Sequence, residues 1–131
     1  MRYVYTAIFE PKENGEGYLV SVPDVPGCIT SGKSTEDAMN MVRDALAGCL
    51  CEYEDHNIEL TPPRLPGDFA VNHGFAALID VDTTQYRALT DTRSVRRNVS
   101  LPAWMDTQAE RAGLSLSQVL QEALRDRLGT V

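Results

Sequence analysis

Three cysteines and two histidines are few for 131 residues, and they are poorly placed for holding a metal. Cys28, Cys49 and Cys51 form no CxxC pair, and neither His56 nor His73 stands at ligand spacing from them, so no zinc site is expected. Cys49 falls on an apolar helical stripe and reads as a small core residue. The glycines never gather into a loop that could cradle a phosphate, and no apolar run approaches the roughly 20 residues that cross a bilayer. No secretory leader is read at the start, because Met1-Arg2-Tyr3 runs directly into a strand pattern. Repeats and low-complexity tracts are missing too. These absences lead us to expect a soluble protein of a reducing cytoplasm, with no cofactor and no membrane contact.

Positive charge is also scarce. Twelve Lys and Arg stand against nineteen Asp and Glu, a net of −7, which argues against broad, non-specific binding of nucleic acid. The deficit is unevenly spread. Residues 1–90 hold six basic against fourteen acidic side chains, a net of −8, while residues 91–131 hold six against five, a net of +1. Arg93, Arg96 and Arg97 form a positive patch with no acid between them. The acidic part suits a basic protein partner, and any DNA affinity must come from paired, multiplied contacts.

The segment 94–101 alternates Arg96, Asn98 and Ser100 with Val95, Arg97, Val99 and Leu101, and it stops at Pro102. Period-two alternation predicts a strand with one polar and one mainly apolar face. Two amphipathic helices are predicted after it, broken at Ala112-Gly113-Leu114. Pro102 suits a first helical position and Gly113 a helix stop. Met105, Ala109 and Ala112 recur at helical spacing in the first helix. Val119, Leu120, Ala123, Leu124 and Leu128 stripe the second, with Ser115 or Ser117 as its cap. Trp104 reads as core or interface packing. A lone strand leaves its backbone groups unpaired, and the economical partner is the same strand of a second chain, antiparallel across a two-fold axis. The resulting ribbon would fit the DNA major groove, where Arg reads guanine and Asn reads adenine. A helical hairpin carrying an exposed basic strand is the plainer alternative.

The order strand, Leu101-Pro102, helix, Gly113-Leu114-Ser115-x-Ser117, helix resembles the ribbon-helix-helix family over roughly residues 95–128. That resemblance implies base contacts from Arg96, Asn98 and Ser100. It also implies a phosphate held at the start of the second helix, near Ser115 and Ser117. Arg97 departs from the family's usual apolar residue and is a further candidate for phosphate.

Earlier in the chain, Tyr3–Glu10 and Tyr18–Val22 are β-rich runs separated by a turn containing Asn14-Gly15. A turn at Asp24-Val25-Pro26-Gly27-Cys28 leads to a short extended piece. Ser34-Thr35-Glu36-Asp37 opens a helix to about Asp55, whose inner stripe is Ala38, Val42, Ala45, Leu46, Cys49 and Tyr53. The prolines of 61–67 mark a loop, a last strand falls near 75–81, and Thr83–Arg93 reads as a connector. The expectation is an α+β chain: a β-β-β-α-β domain over 1–82, a linker over 83–93, and a β-α-α module over 94–131 that dimerises.

Tyr18-x-Val20-x-Val22-Pro23-Asp24-x-Pro26-Gly27-Cys28, followed by Gly32-x-Ser34-x-Glu36-Asp37-Ala38, resembles the N-terminal domain of HicB antitoxins over roughly residues 3–82. That domain looks like a truncated ribonuclease H fold, and a ribbon-helix-helix tail is one of the family's two usual endings. The resemblance implies an antitoxin that covers a small, basic, messenger-cleaving toxin of the HicA type and represses its own operator. It further implies a homodimer through the ribbon, with tetramers through the N-terminal domains. Charge alone nominates Glu36, Asp44, Glu52 and Glu54 as toxin-facing, and a solvated acidic helix explains the same pattern.

A nuclease would need clustered carboxylates for divalent metal. Glu10, Asp24, Glu52, Asp80 and Asp82 are the candidates. Only Asp80 and Asp82 share strand parity, so catalysis is not expected. A stand-alone repressor with a ligand-sensing or oligomerising N-terminal domain remains open, as does a metal-dependent nuclease.

Overall fold

Alternation along the first strand, β1 (Arg2–Pro11), turns Tyr3, Tyr5, Ala7 and Phe9 to one side, and Tyr5, Ala7 and Phe9 are buried there. Strands β2 (Tyr18–Ser21), β3 (Ile29–Gly32) and β4 (Phe75–Asp82) complete a sheet of order β3-β2-β1-β4. Every neighbouring pair is antiparallel. Register places Phe9 opposite Val20 on one side and Phe75 on the other. The Phe9 and Phe75 rings stack 4.7 Å apart. Helix α1 (Thr35–Asp55) closes this face with Ala38, Val42, Leu46, Ala47, Leu50 and Cys51. The β-β-β-α-β order expected from the sequence is therefore the one observed, in a computed structural model that describes residues 1–129.

Local chemistry explains where α1 starts and stops. The Ser34 hydroxyl accepts from the Asp37 amide, and the Asp37 carboxylate accepts from the Lys33 amide, satisfying two groups at the helix start. A side chain at Gly32 would collide with the backbone of Ala38, so the glycine lets β3 turn tightly into the helix. At the other end Asn57 takes the left-handed conformation (φ 52°). The Ile58 amide bonds the Tyr53 carbonyl and the Asn57 amide that of Glu54, a Schellman termination.

Two compact units make up the chain, one from Met1 to Tyr86 and one beginning at Arg87. The boundary region differs from the expected connector: Thr83–Thr90 is a helix, α2. Its start is capped by Asp82, whose Oδ1 accepts from the amides of Thr84 and Gln85, and Tyr86 packs against the core. Asp82 is the last residue of β4, so a strand ending doubles as a helix cap, and apolar periodicity alone carries little trace of it.

In the second unit, α3 (Ala103–Arg111) and α4 (Leu116–Leu128) follow the expected helical hairpin. Pro102 stands one place before the first helical residue rather than within the helix. Gly113 is left-handed (φ 69°), with the Leu114 amide on the Ala109 carbonyl and the Gly113 amide on that of Glu110, again a Schellman end. Residues 94–101 form no strand among the described residues. A strand is defined by its ladder, and this single chain offers that segment no partner. Thr130 and Val131, the last residues of the expected 94–131 module, lie outside the described residues.

Candidate functional site

Arg96, Arg97, Asn98 and Ser100 are all exposed, as are the intervening Val95 and Val99. Val95 is 84 % exposed. None of the described residues from Arg87 onward is buried. Leu101, Trp104, Met105, Leu114, Leu116, Val119, Leu120, Leu124 and Leu128 are each at least 40 % exposed. Such an apolar surface is large for so small a unit, of the kind that interaction sites present.

Ser115 is the N-cap of α4, its hydroxyl accepting from the Gln118 amide at 3.4 Å. Ser117 lies in the first turn. The amides of Leu116 and Ser117 precede any carbonyl that could accept them within the helix, which leaves a donor pair at its positive end. Arg93 is held by Asp91, its Nε 2.9 Å from Oδ1, so the local acid neutralises it, whereas Arg96 and Arg97 stand exposed.

In the first unit the acidic candidates separate. Glu36, Asp44 and Glu52 are exposed on α1. Glu54 is half-buried and engaged within the fold: its Oε2 accepts from the Tyr3 hydroxyl at 2.7 Å and from the Thr83 hydroxyl at 2.9 Å. Burial first, and then the Glu54 carboxylate, pushes the Tyr3 phenol up to about 12. Glu54 thus ties the end of α1 to the start of β1 and to the first residue of α2, which lie side by side at one end of the sheet.

The carboxylates weighed for metal chemistry are dispersed. Asp24, 6 % exposed, accepts from the Arg64 amide at 2.8 Å, from Nε at 2.8 Å and from Nη2 at 2.6 Å. These bonds from Arg64 outweigh burial and hold its carboxyl below the usual range. Asp80 pairs with Arg2 at 3.2 Å and faces Arg43 at 3.8 Å. Burial raises the Asp82 carboxyl, but the Gln85 and Thr84 amides and the amino terminus outweigh it and bring it below the usual range. Among the described residues, no three His, Cys, Asp or Glu side chains gather as a metal-holding group. No helix among them is long and apolar enough to cross a membrane.

The sequence reading missed the Asp24–Arg64 cluster. Arg64 lies in the proline-rich segment after α1, which straps the sheet. Its carbonyl accepts from the Thr6 hydroxyl at 2.7 Å, the Thr61 carbonyl accepts from Tyr5 at 3.1 Å, and the guanidinium sits 4.5 Å from the Phe69 ring centre. Thr6, on the face opposite α1, is buried in consequence. A buried aspartate within Pro-Asp-x-Pro and an arginine between prolines were the available signals, and nothing in their spacing joins them.

The chain is similar to known proteins in sequence and in fold. A family model described as HicB_like antitoxin of bacterial toxin-antitoxin system matches residues 5–124. Antitoxin HicB 1 of Photorhabdus laumondii is 41% identical over 63 residues, 48% of this chain and 39% of that protein's length. A UPF0150 protein of Thermoplasma acidophilum is 36% identical over 53 residues, 40% of this chain and 75% of that one. Among solved structures, a chain of a toxin–antitoxin complex from Streptococcus pneumoniae has a TM-score of 0.59 at 23% identity, covering 97% of this chain and 99% of that one. The Burkholderia pseudomallei antitoxin HicB has a TM-score of 0.54 at 23% identity, covering 93% and 96%. At such identities these structures bear on the fold, while the family model bears on kinship: this chain is a member of the HicB-like antitoxins of bacterial toxin–antitoxin systems.

Proposed function

We propose that the chain neutralises a small, basic, messenger-cleaving toxin of the HicA type by covering its active site with the unit Met1–Tyr86. The second unit, as a homodimer, binds the operator of the pair's own promoter and represses it. The chain works by binding, not by catalysis. The observation that carries the DNA half is the second unit's uncovered apolar stripe beside exposed Arg96, Asn98 and Ser100. A second copy covers the stripe, pairs the 94–101 segments as an antiparallel ribbon and turns two copies of the polar triplet toward base edges. Arg97 and the start of α4 at Ser115 and Ser117 then take phosphates.

The toxin half is supported by kinship and by the net charge of −8 over residues 1–90, which attracts a basic partner. Of the acidic candidates on α1, Glu36, Asp44 and Glu52 are exposed and would face it; Glu54 is occupied within the fold. Further assembly to a tetramer would place two ribbons on one operator. The ribonuclease H likeness is part of the same proposal, as a matter of architecture only.

The test is co-expression with the product of the short reading frame beside this one, scoring growth and message integrity. Arrest by the neighbour alone, relieved by residues 1–86, is the expected result. A harmless neighbour, or no complex with it, would leave a DNA-binding repressor with a sensor domain.

A further inference from the structure

We propose that Cys28 and Cys49 close a reversible disulfide, a redox modification site that pins the Val22–Cys28 loop to α1. Two independent lines of geometry bring them together. A side chain on Gly32 would strike Ala38, so those two residues are in register across the β3–α1 turn. Cys28 lies four residues before Gly32, about 13 Å back along an extended chain. At about 1.5 Å per helical residue that distance reaches about nine residues past Ala38, to Ala47, within about 3 Å along the axis of Cys49. The second line is a bond: the Tyr53 hydroxyl donates to the Pro26 carbonyl at 2.9 Å. Tyr53 is one turn beyond Cys49 on the same helix face, and Pro26 is two residues before Cys28. The Cys28 side chain belongs to the buried core and Cys49 packs against that core.

Their unequal surroundings assign the roles. Cys49 is partly exposed and Cys28 is buried. Burial, and then the neighbouring Cys49, pushes the Cys28 thiol up to about 12, so it stays protonated at neutral pH. A hydroperoxide therefore meets Cys49 first. Its thiol takes one peroxide oxygen to become a sulfenic acid, and the peroxide leaves as alcohol or water. The Cys28 sulfur then attacks the Cys49 sulfur. The new S–S bond replaces S–OH, and the hydroxyl leaves as water with the Cys28 proton. A dithiol reductant reverses the bridge. The loop it pins carries Asp24, which holds the Arg64 strap, so the bridge stiffens the strap as well as the helix contact. This site is independent of the antitoxin reading.

The experiment uses the full-length chain with Cys51→Ala, which leaves a single thiol on α1. The protein is treated with hydrogen peroxide, alkylated and mapped by peptide mass spectrometry. The expected product links the Cys28 and Cys49 peptides, lacks two hydrogens and is undone by dithiothreitol. It raises the first unit's thermal midpoint by about 5 °C or more. The closing step should quicken roughly tenfold per pH unit between neutrality and pH 9, as Cys28 thiolate becomes available. Because Cys28→Ala empties a buried site and endangers the fold, Cys49→Ala is the control and should show neither link nor shift. Cys28 left open to alkylation after peroxide, with Cys49 unreacted, over-oxidised or bridged between chains, would overturn the proposal.

Discussion

Phe9, Leu46, Leu50 and Ile79 in the first unit are wholly shielded from water, whereas Val119, Leu120, Leu124 and Leu128 in the second, equally regular in their spacing, are 40–62 % exposed. The first unit lays a helix on a sheet and closes its own core. The second has two short helices whose apolar sides stay uncovered among the described residues. The periodicity is comparable in both. What differs is whether the covering surface lies in the same unit, and a periodic pattern is silent on that point. A domain that buries its stripe only against a second copy has no stability apart from association.

Leu124→Asp should break the contrast most severely. A charge in the stripe would be buried unpaired in any dimer, so operator binding should vanish and the second unit's helical signal with it. The first unit's thermal transition should persist unchanged in calorimetry. The converse variant, Leu46→Ala, opens a cavity in the self-covered core and should cost about 2–5 kcal/mol of first-unit stability in denaturant titration. Helix formation and DNA binding by the second unit should survive it.

Base reading should be separable from folding. Arg96→Ala and Asn98→Ala should each remove about 1–3 kcal/mol of sequence-specific binding in gel-shift titrations, with circular dichroism unaltered. Unchanged operator affinity in a well-folded double variant would contradict the base-reading assignment.

Acid should sharpen the comparison from the other side. Arg64 depresses the folded-state value of Asp24, so the unfolded chain binds that proton more readily than the folded one. The contribution is complete above the usual carboxylate range and is lost as pH falls through the depressed folded value. Asp24→Asn should therefore lower the first unit's thermal midpoint at pH 7, and flatten its fall in acid. The smallest effect is expected at Ser115→Ala, where loss of the α4 cap should cost about 1 kcal/mol of dimer stability in thermal melts.

Much of this was legible in the sequence, for identifiable reasons. Asn14-Gly15 between β-rich runs, the Ser34 cap and the Ala38–Tyr53 stripe are local signals, and the sheet and α1 follow them. Ala47, Leu50 and Cys51 were missed at the α1 core because that helix buries a wider arc than one stripe. Helix α2 was missed because its cap, Asp82, sits inside a strand. Glu54 looked like one more solvated acid; only the fold brings Tyr3 and Thr83, 51 and 29 residues away, to its carboxylate. Long-range polar contacts of this kind leave no spacing to read.

The most direct test is sedimentation of residues 87–131 over a range of concentrations, with thermal melts on the same samples. Association into a folded dimer, with a midpoint that rises with concentration, is what the uncovered stripe predicts. A folded monomer whose midpoint ignores concentration would contradict it.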